Sequence, residues 1–239
     1  MMRSLALTLI CATLAACATK PENGYGLGIQ AERQAALDQA QQKDAAPDTP
    51  GMYLALIDRM QAQGLWFASL AHIDAYEQQY GESPDTILLR ADALRQTGQP
   101  DASAAAYARL ADTPLAARGL RGLGLLAGGT GDFALAAQRF EAASKRAPTD
   151  APMLSDLGYA KLRMGDIAGA RVPLMKAAEL APNNPKILSN VALLLLASGQ
   201  AANAQGLMTQ QKFSADVQQA IRADARRVAD AARPSVASR

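Results

Sequence analysis

A chain of 239 residues with 49% hydrophobic side chains holds enough apolar material for one good-sized domain, which excludes disorder throughout. It is rich in alanine, only 5% aromatic and poor in β-branched runs, so its composition favours closely packed helices over sheets. The formal net charge of +2 creates no large electrostatic field, which argues against nucleic acid as a ligand.

In chain order, the first element is a signal segment. Arg3 precedes an apolar stretch from Leu5 to Ala16, too short for the roughly 20 residues of a membrane-spanning helix, so residues 1–16 are expected to be removed on export. Leu14, Ala15, Ala16 and Cys17 resemble the lipobox of bacterial lipoproteins. That resemblance implies lipidation of Cys17, which becomes the new N-terminus. Three acyl chains, at roughly 0.8 kcal/mol per buried CH₂, exceed what stable anchoring needs. Ala18, and not Asp, follows the cysteine, which by the same resemblance implies the outer membrane and its periplasmic face. Cys11 lies in the removed segment, so the mature chain keeps one cysteine and no intrachain disulfide can form. Residues 17–49 contain Pro21, Gly24, Gly26, Gly28 and Pro47 around a Gln/Ala stretch from Ile29 to Lys43, and read as a lipidated tether with a transient helix.

Beyond the tether the chain repeats itself. Gly64, Gly98, Gly131, Gly165 and Gly199 fall 34, 33, 34 and 34 residues apart, each between two helical patterns. A glycine that ends one helix in the left-handed conformation, followed at Asp132 and Asp166 by a residue able to cap the next, reads as the turn inside a helix pair. Other columns keep the period. Tyr53, Ile87, Leu120, Leu154 and Leu188 are large, whereas Ile57, Ala91, Gly124, Gly158 and Ala192 are mostly small. In the second helices Ser69, Ser103, Ala136, Ala170 and Ala204 are small, and Ile73, Tyr107, Phe140, Leu174 and Met208 are large. Such alternation lets backbones approach while a ring or branched chain fills the gap.

These columns resemble the tetratricopeptide family over residues 50 to about 211, most clearly in 117–150 and 151–184. The resemblance implies an all-α fold, a right-handed superhelical solenoid of about five tetratricopeptide-type helix pairs plus a C-terminal capping helix, spanning 50–231. The copy beginning at Pro84 is one residue short near Ala111 and Asp112. Pro173 falls inside a second helix and is expected to bend it. Gly119, Gly122 and Gly124 in the predicted helix 117–127 read as sites of close packing. Ser214 is placed to cap a final helix, 215–231, with Val217, Ile221 and Val228 on one face and Arg222, Arg226 and Arg227 on the other. Residues 232–239 read as a disordered tail.

The residues for catalysis are sparse. His72 is the one histidine and no motif accompanies it, so it reads as a packing residue; zinc would need several Cys or His ligands. Gly24–Gly28 and Gly122–Gly124 lack the strand, lysine or carboxylate of a nucleotide site. Trp66 and Tyr76 read as core of the first repeat. The expectation is a protein that is not an enzyme, with no catalytic residue, metal, cofactor or small-molecule substrate.

In tetratricopeptide solenoids the first helix of every pair lines a concave groove that holds a peptide or helix. Carried over column by column, the resemblance implies a partner-binding groove of Leu54, Asp58, Asp85, Leu88, Asp92 and Arg95 in the first half. In the second half it implies Arg118, Arg121, Leu125, Tyr159, Leu162, Arg163, Lys186, Leu193 and Leu196. That groove would be acidic toward its N-terminal end and apolar with basic margins toward the other, suiting an amphipathic segment with carboxylates. The paired Lys and Asn clamp of chaperone-docking members is not reproduced; Lys186 and Asn190 only hint at it.

Four segments, 88–95, 113–119, 171–177 and 190–196, resemble the TadD-type lipoproteins of tight-adherence (Flp) pilus assembly systems. The resemblance implies a pilotin-like task, in which the lipid holds the solenoid at the outer membrane while the groove holds a secretin or another pilus-assembly subunit. A scaffold for outer-membrane protein assembly or for cell-wall hydrolases is the alternative.

Overall fold

A computed structural model describes residues 49–233, which form eleven helices and no strand among the described residues. The signal segment, Cys17, the tether up to residue 48 and the tail from residue 234 lie outside them. Ten helices make five pairs: α1 (Pro50–Ala62) with α2 (Trp66–Tyr80), α3 (Pro84–Gln96) with α4 (Pro100–Ala108), and α5 (Ala116–Gly129) with α6 (Phe133–Arg146). They continue with α7 (Ala151–Arg163) and α8 (Ile167–Leu180), then α9 (Pro185–Ala197) and α10 (Ala201–Gln210), before a final helix, α11 (Ala215–Ala232). Each of the ten packs on its own partner, and each second helix packs on the first helix of the next pair, as in the expected solenoid.

Local chemistry sets where the pairs begin. Thr49, Ser83, Asp150 and Asn184 each accept a backbone N–H two or three residues on, and a proline at the first or second position follows each of them. A capped terminus with proline just inside starts a helix, because the N–H that proline lacks has no intrahelical partner there. Within each pair the turn has one geometry. Gly64, Gly98, Gly131, Gly165 and Gly199 have φ between 76° and 89°, a conformation that a side chain resists. The next residue donates its N–H to the carbonyl five positions earlier, from Leu65 to Met60, Gln99 to Leu94, Asp132 to Ala127, Asp166 to Lys161 and Gln200 to Leu195.

The large and small columns meet in the core. Ile73, Tyr107, Phe140, Leu174 and Met208 are all buried, as are Ser69, Ser103, Ala136, Ala170 and Ala204. A Cβ on Gly122 would lie 2.2 Å from the Tyr107 ring, and one on Gly119 would lie 2.8 Å from the Tyr107 carbonyl oxygen, so these glycines are sites of close packing. The buried hydroxyl of Ser103 donates to the Ala91 carbonyl at 2.8 Å, which ties α4 to α3.

Several local expectations are refined. The short copy ends its second helix early: α4 stops at Ala108, and Leu110, in the turn beyond, is fully buried. Helix α8 continues through Pro173 to Leu180, with Pro173 buried. Helix α11 runs to Ala232, one residue past the expected end. Ile221 and Val228 are buried as expected, but Val217 is 38% exposed because it sits in the first turn, before α11 reaches the core. Tyr76 is core, whereas Trp66 is only half-buried.

Candidate protein-binding groove

The first helices of the pairs frame two recesses. One, of about 310 Å³, is open to solvent and lined by Leu54 and Asp58 of α1, Asp85 and Leu88 of α3, and Arg118 of α5. The other, of about 270 Å³, lies between α5, α6, α7 and α9. Leu125, Phe133, Phe140 and Tyr159 supply its apolar wall, and Asp156, Lys186 and Asn190 its polar margin. Gly128 and Gly129 border it too; a Cβ on Gly129 would meet nothing within 4 Å, so the missing side chain leaves space that is part of the recess.

A buried carboxylate organises the second recess. Asp156 of α7 accepts from the Arg121 guanidinium of α5 at 2.7 Å and from Lys186 Nζ of α9 at 3.0 Å, joining three successive first helices. Its side chain is 6% exposed, against 30% for Arg121 and 68% for Lys186, so a shielded negative charge is held between two cations that still face water. Asn190 Nδ2 donates to Ser155 Oγ at 2.9 Å and adds a second link between α7 and α9. The balance at this margin is positive, with two cations to one carboxylate, and Asp156 is not among the residues the sequence points to. Its signal is a polar pair, Ser155 and Asp156, inside the otherwise apolar stretch 151–158 of that helix.

The far end of the inner face is already occupied, by α11. This helix packs on the first helices α9 and α7. Ile221 and Val228 enter a core that contains Leu162, Leu193, Leu194 and Met208, with Tyr159 and Leu196 against it. Tyr159 Oη donates to Asp224 of α11 at 3.2 Å, Arg163 lies 3.9 Å from the same carboxylate, and the Arg163 guanidinium sits 4.2 Å from the centre of the Phe133 ring. Leu162 and Leu193, expected in the groove, are therefore corrected to core at 0% and 2% exposure, and Tyr159, Arg163 and Leu196 are partly covered. The reason is length. Eighteen residues span about 27 Å, so α11 reaches from the last pair back to the turn at Gly165, where a Cβ would lie 2.7 Å from the Ala231 carbonyl oxygen.

The expected charge polarity changes in the first half as well. Asp92 is engaged internally, accepting from Tyr107 Oη at 2.5 Å and from Arg95 at 3.5 Å, which leaves Asp58 and Asp85 as the exposed carboxylates. Burial, and then the charge of Asp92, hold the Tyr107 hydroxyl well above the usual tyrosine range, while burial also raises that of Tyr159. Arg118 is exposed and faces the acidic first recess, not the second. Leu88 is 3% exposed and packs with Tyr107 and Leu110, so it forms the floor of that recess more than its rim. The groove set thus divides into Leu54, Asp58, Asp85, Leu88 and Arg118 in one recess and Arg121, Leu125, Tyr159 and Lys186 at the other.

No group of three or more His, Cys, Asp or Glu side chains comes together as a metal site among the described residues. His72 Nδ1 lies 3.1 Å from the Tyr53 hydroxyl, in a hydrogen bond that joins α2 to α1.

No family model matches the sequence, and no curated protein matches it. Solved structures do resemble the fold. A thermophilic tetratricopeptide-repeat protein of Thermus thermophilus is 20% identical, with 77% of this chain and 98% of that one covered and a TM-score of 0.60. PilF of Pseudomonas aeruginosa is 19% identical, covers 76% of this chain and 88% of its own, and also gives 0.60. MamA from Desulfovibrio magneticus RS-1 is 17% identical over 74% of this chain and 98% of its own, with a TM-score of 0.54. The described residues therefore have the fold of a tetratricopeptide solenoid, five helix pairs closed by a sixth, unpaired element laid across the inner face.

Proposed function

We propose that this chain is an outer-membrane-anchored scaffold of tight-adherence pilus assembly, which holds a secretin subunit in a pilotin-like role. The lipobox-like Leu14–Cys17 supports the anchor, and the four TadD-like segments support the assignment to pilus assembly. The observation that carries a protein-binding role is the open recess between α5, α7 and α9, where apolar walls meet the exposed ammonium of Lys186. An amphipathic segment that buries an aliphatic or aromatic side chain beside Leu125 and sets a carboxylate toward Lys186 matches that chemistry. Anchoring then raises the local concentration of the bound subunit at the membrane without any new contact.

The test places a photocrosslinking amino acid at Leu125 of the full chain, in cells. Crosslinks to the secretin that are lost in Lys186→Glu are expected, and Cys17→Ser should leave the fold intact while the secretin scatters from the outer membrane. Crosslinks to an outer-membrane assembly factor or a cell-wall hydrolase, with secretin assembly undisturbed, would move the protein to the alternative scaffold class.

A further inference from the structure

The first helix pair breaks a pattern that the other four keep. All five inner turns share one backbone geometry, so the residues they carry can be compared directly. After the glycine stand Leu65, Gln99, Asp132, Asp166 and Gln200. Asp132 accepts from Leu135 N at 2.9 Å and Asp166 from Gly169 N at 2.8 Å, capping α6 and α8. Leu65 gives α2 no side-chain cap, as Gln99 and Gln200 give none to α4 and α10, but among the five it alone is apolar, and it is 48% exposed. Two positions further on, Phe67 is 73% exposed where the other pairs carry Asp101, Ala134, Ala168 and Ala202. The first turn thus replaces polar or small residues with two large apolar side chains shown to water, with half-buried Trp66 between them.

Between Asp58 and Asp74 the chain contains no other Asp or Glu, and Arg59 is the one permanent charge in that stretch. A turn that exposes Leu65 and Phe67 around Trp66, preceded by a cation in the last turn of α1, has the make-up of an interfacial membrane contact, in which aromatic rings settle at headgroup level and a cation meets phosphate. We infer that the turn Gly64–Phe67 inserts into an anionic phospholipid surface. This rests on the proposed anchoring for bringing the first pair to the bilayer. Thirty-one residues separate Cys17 from Thr49, and a flexible linker of that length would reach about 30 Å. Helix α1, between that chain and the turn, is only about 20 Å long. The contact would fix the solenoid's orientation on the membrane, which a lipid on a long tether cannot do.

Trp66 is the one tryptophan of the chain and makes the inference directly measurable. The acylated full chain, purified from membranes, is placed on vesicles of phosphatidylethanolamine and phosphatidylglycerol whose acyl chains carry bromine. Insertion predicts that Trp66 emission shifts to shorter wavelength and loses most of its intensity to bromine quenching. In the double variant Leu65→Asp, Phe67→Asp the quenching should be lost while the protein still floats with the vesicles. This variant keeps its fold, because an aspartate caps the same turn at Asp132 and Asp166; far-ultraviolet circular dichroism checks that. Flotation with Trp66 unquenched in the parent, or quenched equally in the variant, overturns the inference and leaves the anchor standing. Failure of the acylated parent to float overturns the anchoring as well.

Discussion

The ring of Phe140 fills the place to which a side chain on Gly124 would point: a Cβ there would lie 2.6 Å from the ring's Cε1. The next pair repeats the relationship, with a Cβ on Gly158 falling 2.3 Å from Cγ of Leu174. Each of these two pairs is closed by one residue that is absent as a side chain and one that is large, so neither can change without the other.

Gly124→Val is accordingly expected to lower stability by roughly 1–3 kcal/mol through overpacking. Combining it with Phe140→Leu should return part of that loss. Urea unfolding followed by circular dichroism measures both; a single variant as stable as the parent would show that α5 and α6 are less tightly closed than their geometry indicates.

Asp156→Ala removes the shielded charge that joins α5, α7 and α9 and leaves Arg121 and Lys186 facing one another. Because both cations reach water, the expected loss is about 1–3 kcal/mol, below the 3–5 typical of fully buried pairs. Lys186→Ala, at an exposed position, should cost under about 1 kcal/mol. Equal losses from the two variants would contradict the burial of Asp156.

The Tyr107 hydroxyl titrates above the usual tyrosine range, so its contribution to stability has a definite pH window. The neutral form is favoured by the fold; the contribution is complete below about pH 10, the pKa of an unfolded tyrosine. Above it the unfolded chain releases a proton that the folded chain keeps, and stability falls as pH rises. Tyr107→Phe should be less stable than the parent near neutrality and show a shallower decline above pH 10. Urea midpoints across that range, compared between the two proteins, decide it.

Two residues of α11 separate a packed helix from a merely adjacent one. Ile221→Ala should cost roughly 2–5 kcal/mol, because its side chain lies in the core. Val217→Ala, on the same helix but exposed, should change stability by no more than about 0.5 kcal/mol. If Ile221→Ala does loosen α11, Leu162 and Leu193 become accessible, and binding of an apolar dye should rise with it.

Much of the fold could be read in advance because its signals are local. The glycines that close each pair have left-handed φ for reasons internal to the turn, and Asp132 and Asp166 cap helices within three residues of themselves. The candidate site was less legible. Leu193 falls in the same repeat column as Leu125, yet one is core and the other lines a recess; the difference is α11, a helix from elsewhere in the chain. Asp156 escaped notice because a carboxylate on a helix is ordinarily solvated, and its two cations arrive from residues 35 positions before it and 30 after it.

What the order of residues alone determined was the all-helical solenoid: the period, the turns and the reciprocal large and small columns, each enforced by contacts within a pair or with its neighbour. Only the tertiary structure decided which part of the inner face stays open. The final helix is amphipathic and 18 residues long, and nothing local to it specifies where its apolar stripe settles. That choice is made where Ile221 and Val228 join Leu162 and Leu193 in one core and Tyr159 donates to Asp224 across the fold, because this placement removes the apolar stripe from water.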